Sequence, residues 1–259
     1  NLTINLVLIN MSCYKLLLFL ALLSVSQCAT EIPSFLKICH RNDLRLNECV
    51  NQSVEALKPY LSGGIPEFDV PPCEPLKIKK LSMHRSAGTV AIKSSNENVV
   101  IKGAINFVLK KVNVNLKKDQ IQLEIFFPKF SMTSDYKMNG KILMIPIKGE
   151  GQLTGNFSDI NADIMIQGER YQNSIDNNTY YRVRDVLIDV DVGNASVHLD
   201  NLFNGDKTLS SGMNLFLKEN WKTITEDIKP GIADNIAELL KKYSEKIFSK
   251  YSLDVLLPE

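Results

Sequence analysis

Three cysteines, Cys39, Cys49 and Cys73, lie in the body of the chain, and Cys13 and Cys28 lie near its start. The three can pair in three ways. Cys39–Cys49 closes the shortest loop, about ten residues, a crosslink that contributes roughly 2–3 kcal/mol by loop-closure entropy. That pairing leaves Cys73, between Pro72 and Glu74, as a small buried apolar side chain, with an intermolecular bridge as the alternative. Four N-x-Ser/Thr sequons begin at Asn51, Asn156, Asn177 and Asn194 and are candidate glycan acceptors. His40, His84 and His198 are far apart and fit no close metal-binding pattern. No Gly-x-Ser-x-Gly elbow is present. Gly149-Glu150-Gly151 falls between strand patterns and reads as a bend or bulge rather than a dinucleotide loop. Asp189 and Asp191 alternate with apolar residues, so they belong to the wet face of a strand. No catalytic residue, no metal site and no cofactor is expected, and the chain reads as non-enzymatic.

A disulfide and glycans require an oxidising, secretory route. The first Met is Met11, and after Lys15 comes an apolar run from Leu16 to Val25, then small residues at Ser26, Cys28 and Ala29. This order predicts a secretory signal peptide cut after Cys28 or Ala29. Residues 1–29 are therefore read as upstream leader plus signal, and residues 30–259 as a single domain of an extracellular protein. The rival is an uncleaved anchor from Leu2 to Val25, interrupted by Asn5, Asn10, Ser12 and Lys15. No other stretch approaches a membrane span, so no stable membrane insertion is expected. Thirty basic against 29 acidic residues argue against nucleic acid as a partner. The charge is uneven: residues 74–150 carry a net of +8 and residues 151–212 a net of −5. Solvated strand faces with lysines guarding the edges account for the first excess.

Three textures must position these residues. Residues 33–62 read as helix, with Leu46, Val50, Val54, Leu57 and Leu61 at helical steps, closed by Gly63-Gly64. From Leu76 to about Phe203 the period is two, as in Ile121, Leu123, Ile125 and Phe127 or in Val186, Ile188, Val190 and Val192. Turn signals stand at Asn96-Glu97-Asn98, Lys118-Asp119, Asn139-Gly140 and Asp176-Asn177-Asn178. Long strands with short turns and no intervening helices predict an antiparallel sheet, not a βαβ fold. Gly212 to Tyr251 reads as one very long helix with an apolar stripe, bent at Pro230. Such a stripe needs a long apolar partner, and the half-apolar sheet is the one candidate, so the sheet is expected to wrap the helix.

Ile32-Pro33-Ser34-Phe35-Leu36-Lys37-Ile38-Cys39, then Cys49 and Gly64-Ile65-Pro66, resembles the start of the takeout and juvenile-hormone-binding protein family of insects. Asp200-Asn201-Leu202-Phe203-Asn204-Gly205, then Asn214 to Trp221 and Ile228-Lys229-Pro230, resembles that family's C-terminal signature. The absence of a Cys pair beyond Cys73 places the resemblance with the takeout branch. The resemblance implies an α+β fold, a long C-terminal helix wrapped by a strongly curved antiparallel β-sheet around an apolar tunnel. It also implies a secreted, monomeric carrier of an elongated hydrophobic small molecule, such as a terpenoid or fatty chain. Candidate lining residues are Phe107, Ile125, Phe127, Met138, Phe157, Trp221 and Ile224. The alternatives are a cargo-free secreted glycoprotein that signals through a receptor, and a membrane-active lipid binder that uses residues 74–150.

Overall fold

The computed structural model describes residues 32–86 and 88–259. The expected signal peptide lies outside them. Contacts separate residues 1–33 from 34–259, and the architecture below is that of the second unit. In chain order it comprises α1 (Leu46–Gly63), β1 (Leu76–His84), β2 (Val90–Lys102), β3 (Val108–Asn115), β4 (Gln120–Ile142), β5 (Ile145–Gln172), β6 (Thr179–Leu199), α2 (Lys207–Glu219), α3 (Trp221–Phe248) and α4 (Leu253–Leu256).

The sheet is antiparallel throughout, in the order β1-β2-β4-β5-β6. β2 and β3 share one edge of β4 end to end: β3 pairs with Gln120–Phe126 and β2 with Ser131–Ile142. β5 has 28 residues. At about 3.3 Å per residue it would measure roughly 90 Å if straight, so the sheet must coil and bend to bury one face.

The bend has a sequence cause. The inward residues of β4 are odd-numbered from Ile121 to Phe127 and even-numbered from Phe130 to Ile142. β5 and β6 switch parity at the same level, between Phe157 and Ile160 and between Val192 and Ala195 respectively. The register does not slip there, but the ladders skip Pro128/Asp159 and Asp159/Gly193. Asp159 has φ +56°, and a Cβ on Gly193 would lie 2.6 Å from the Asp159 Cβ. A proline, a left-handed aspartate and a glycine side by side thus turn three strands together. The turn divides the interior into two cores. One gathers Val90, Ile92, Tyr136, Ile142, Ile147, Leu202, Met213 and Leu217. The other gathers Ile164, Ile166, Tyr181, Val183 and Val186, with Ala237, Leu240 and Phe248 of α3 against it.

The helices cover sheet edges with side chain–backbone bonds. On α1, Asn47 Oδ1 accepts from Val114 N at 2.9 Å, Asn51 Nδ2 donates to Leu109 O at 3.3 Å, and Lys58 Nζ donates to Phe107 O at 2.6 Å. These satisfy the free edge of β3. On α3, Asn235 Nδ2 donates to Ser82 O of β1 at 3.3 Å and Lys241 Nζ donates to Arg184 O of β6 at 2.9 Å. Lys229 pairs with Asp189 at 2.6 Å, which lowers the pKa of that carboxyl. α3 therefore bridges the two outer strands.

Several expectations are corrected. The first helix begins at Leu46, not residue 33; residues 34–45 form turns, and Arg41 bonds to the C-terminal segment at Leu257 O and Pro258 O. Asn96-Glu97-Asn98 is an irregularity inside β2, and Asn139-Gly140 lies within β4, where Gly140 lets the backbone of Ala91 and Ile92 come close. The C-terminal helix is two helices meeting at Asn220 (φ −107°, ψ 15°). The second runs through Pro230 without a break and stops at Phe248. Asn220 ends α2 because its amide N–H and its Nδ2 both bond to Phe216 O, the local competition that makes Asn a poor helix-interior residue.

Candidate functional site

The space between α3 and the sheet is where the apolar faces fail to close. None of the 28 residues of α3 is fully buried. A groove of about 530 Å³, open to solvent along one side, lies between α3 and strands β4–β6. Its helix wall is made of small residues at helical spacing, Pro230, Ala233 and Ala237, and its sheet wall includes Leu123, Ile164, Val186 and Ile188. Small side chains on one wall facing branched ones on the other leave room that larger helix residues would fill. Its lining also includes five polar residues, Gln122, Glu124, Asp163, Asp189 and Asp234.

A second cavity of about 280 Å³ is almost wholly apolar. Its walls are Val50, Val54 and Leu57 of α1, Val114 of β3, Ile121 of β4, Phe248 of α3 and Leu253, Leu256 and Leu257 of the C-terminal segment. Its polar corner is built tightly. Arg170 Nε meets Asp119 Oδ1 at 2.8 Å. Tyr181 donates its hydroxyl to Asp119 O at 2.8 Å. Burial, with the Asp119 charge, pushes the Tyr181 phenol up to about 12. Gln167 Nε2 donates to Lys118 O at 2.9 Å. Ile121 lines this cavity and Leu123 the larger one; as neighbouring inward positions of one strand they are about 7 Å apart.

Beyond Leu123 the inward row of β4 continues through Ile125 and Phe127 to an aromatic cluster at the sheet bend. Phe107, Phe127, Phe130 and Phe157 touch in sequence, with ring centroids 6.1, 6.2 and 5.1 Å apart. All four are half-buried. Of the seven residues singled out from the sequence, the structure brings Phe107, Phe127 and Phe157 together here and sets Ile125 beside them. Met138 and Ile224 pack against the first core instead. Trp221 starts α3, its ring near Lys222 Nζ at 5.7 Å. None of the seven forms a wall of either cavity. The residues that do were half legible. Val50, Val54 and Leu57 stand out as a helical stripe, and Leu123, Val186 and Ile188 as strand alternation. Nothing local marks Leu256, Leu257 or Arg170, which long-range folding brings to the site.

Cys39 and Cys49 are bonded, with Cα atoms 5.8 Å apart. Cys73 is free and half-buried, and burial raises its thiol pKa. Gly149-Glu150-Gly151 is regular strand. A Cβ at Gly149 would meet Tyr136 Oη at 2.7 Å and one at Gly151 would meet Asp200 O at 2.7 Å. The glycines admit the segment after β6 against β5. His40 Nδ1 lies 2.7 Å from Glu259 O, and His198 Nε2 lies 3.0 Å from Asp200 Oδ1. Among the described residues no group of three or more His, Cys, Asp or Glu could hold a metal ion.

The sequence model of the family "Haemolymph juvenile hormone binding protein (JHBP)" matches residues 16–258. The chain belongs to this family. Within the JHBP family it is 24% identical to the circadian clock-controlled protein daywake of Drosophila melanogaster, over 92% of this chain and 94% of that protein. It is 22% identical to the "Putative beta-carotene-binding protein" of Schistocerca gregaria, over 81% of this chain and 82% of that one. The crystal structure of Epiphyas postvittana Takeout 1 superposes with a TM-score of 0.74 at 22% identity, over 86% of this chain and all of the other. The curled sheet with its C-terminal helix is thus the takeout fold, and JHBP-family membership makes the coarse role that of a hydrophobic-ligand carrier.

Proposed function

We propose that residues 30–259 act as one secreted, monomeric carrier domain, holding an elongated apolar molecule between α3 and the curled sheet. The observation that carries this reading is the incomplete packing of α3. A helix bridging both outer strands has no fully buried residue and leaves about 530 Å³ against β4–β6. Packed element interfaces normally reach crystal-like density, and an unfilled groove between helix and sheet forfeits dispersion contacts. The inward row from Ile121 through Leu123 and Ile125 to Phe127 and Phe130 supplies a path of about 30 Å past both cavities. Each 100 Å² of apolar guest surface removed from water contributes about 2.5 kcal/mol, and a rigid sheet limits the ordering cost. Long apolar cargo fits a narrow path of this kind, and the name of the locust relative, "Putative beta-carotene-binding protein", supports an elongated shape. The Arg170–Asp119–Tyr181 corner would meet a polar end group.

Extraction of the purified native protein followed by mass spectrometry tests this. One apolar molecule per chain is expected, displaced with saturation by a fluorescent long-chain probe. Neither extracted lipid nor saturable probe binding would overturn it and favour a cargo-free interaction protein.

A further inference from the structure

β4 and β5 are joined by a two-residue turn, Leu143-Met144, in which both residues have positive φ, 47° and 70°. A two-residue hairpin with both φ positive favours Asn-Gly or Asp-Gly, because a Cβ is disfavoured there. Here both positions hold long apolar side chains. Leu143 serves the fold: it packs against the first core, and its N–H donates to Thr89 O at 2.7 Å. Met144 does not; it is 81% exposed, and the next residue, Ile145, is 39% exposed. A bulky apolar residue kept in a strained conformation and held in water points to a use outside the fold.

The outer face behind this tip is basic. His84, Lys93, Asn139 and Lys148 form one rung across β1, β2, β4 and β5, and Ala91, Lys141 and Pro146 form the next rung toward the tip. Lys93, Lys141 and Lys148 are exposed, and among the described residues none of them has a salt bridge. The nearest carboxylate of this face, Glu150, is bonded to Lys137 at 2.8 Å. Asp227 of α3 is engaged by Thr89 N at 2.6 Å and Val90 N at 3.0 Å. Two strand spacings put Lys93 and Lys148 roughly 10 Å apart, within about one Debye length, so their fields add.

We propose that this hairpin tip docks the protein on an anionic lipid surface, Met144 and Ile145 entering the headgroup boundary and Lys93, Lys141 and Lys148 facing lipid phosphates. Two exposed apolar residues supply far less than the roughly 800 Å² per side of a standard protein interface. Reversible membrane binding, in contrast, needs only a short apolar insertion plus a polybasic patch. No described helix is long and apolar enough to cross a membrane, so attachment through this tip is peripheral. The docking goes beyond the carrier reading and does not depend on cargo.

Vesicle co-sedimentation tests it. The protein should bind phosphatidylcholine vesicles containing about 30% phosphatidylserine. It should bind pure phosphatidylcholine weakly and be released on raising salt from about 0.05 to 0.5 M. Each lysine at such a surface is worth roughly fivefold, so Lys141→Ala with Lys148→Ala should lower partitioning roughly 25-fold. Met144→Asp should lower it at least about tenfold. All three side chains are exposed, so melting temperatures should match wild type and exclude misfolding. Wild-type binding to neither vesicle, equal binding to both, or variants that partition like wild type would overturn the proposal. Probe displacement by long-chain cargo is read separately, so docking and carriage can fail independently.

Discussion

Replacing Ala237 by Phe separates a cargo space from a plain packing defect. Ala237 lines the 530 Å³ groove from α3, with Ala233 one turn before it and Leu123, Ile164, Val186 and Ile188 on the sheet wall. A phenylalanine buries about 150–250 Å² when enclosed. If half of that area leaves water here, transfer contributes about 2–3 kcal/mol. Fixing the ring in one rotamer costs about 0.5–1 kcal/mol. The net is a gain of roughly 1–2 kcal/mol, or about 2–8 °C in Tm for a domain of this size. A filled interior gives the opposite sign, since overpacking costs about 1–3 kcal/mol. Calorimetry of the delipidated protein and displacement of a fluorescent long-chain probe should be run on the same sample. The expected pair is a higher Tm with affinity lowered at least about tenfold, because the ring occupies volume the guest needs. A lower Tm with unchanged affinity would refute the reasoning.

Three further outcomes follow from single contacts. Tyr136 and Tyr181 donate their hydroxyls to Asp200 O and Asp119 O at 2.6 and 2.8 Å, and burial first, then the nearby Asp charge, pushes both phenols up to about 12. The folded state then binds more protons than the unfolded state from about pH 10 to 12, so stability should fall as pH rises through that window; absorbance titration should show Tyr136 and Tyr181 among the late-titrating tyrosines, and Tyr181→Phe should remove one. Cys39→Ser opens the Cys39–Cys49 crosslink and should cost about 2–3 kcal/mol in denaturant melts, while an unchanged midpoint would deny the bond a stabilising role. Glycan mapping of secreted material should find Asn177, exposed in the β5–β6 loop, occupied, and Asn51 bare, because Asn51 is half-buried and its amide donates to Leu109 O.

Legibility in the sequence followed the physics that operates at short range. Alternation from Leu76 onward marks the sheet because each strand has one wet face, although β6 ends at Leu199, short of the expected limit at about Phe203. The turns were harder. Lys118-Asp119 and Asp176-Asn177-Asn178 do lie between strands, but the tightest hairpin is Leu143-Met144, whose residues carry no turn signal. Asn139-Gly140 carries the strongest such signal and lies inside β4, where the glycine answers a close strand approach rather than a reversal. Pro230 predicts a bend and no break, and α3 does run through it; the break falls ten residues earlier at Asn220, whose side chain and backbone N–H share the carbonyl of Phe216. For the site, residue type was a poor guide. Large aromatics such as Phe107 and Phe157 gather at the bend, whereas the larger cavity is bounded on its helix side by residues too small to attract notice, Ala233 and Ala237.

That inversion follows from the sheet bend. A strand that alternates regularly buries one face along its whole length and gives one continuous core. Here Pro128, Asp159 and Gly193 switch the inward parity of three adjacent strands at one level. The curled sheet therefore presents two inward surfaces: α2 packs on the first, and α3 crosses from the first, at Ile224 and Ile228, to the second, at Ala237, Leu240 and Phe248. Met213 and Leu217 of α2 enter the first core, where Ile224 and Ile228 of α3 pack beside them. α3 spans the bend, reaches the outer strands with Asn235, Lys229 and Lys241, and leaves its small residues opposite β4–β6. Large side chains at the bend are half-buried and contact one another in tilted and edge-to-face pairs across it. The unfilled volume is thus set by where the strands turn and by which helix residues are small, and a carrier with a different cargo shape could arise by changing either.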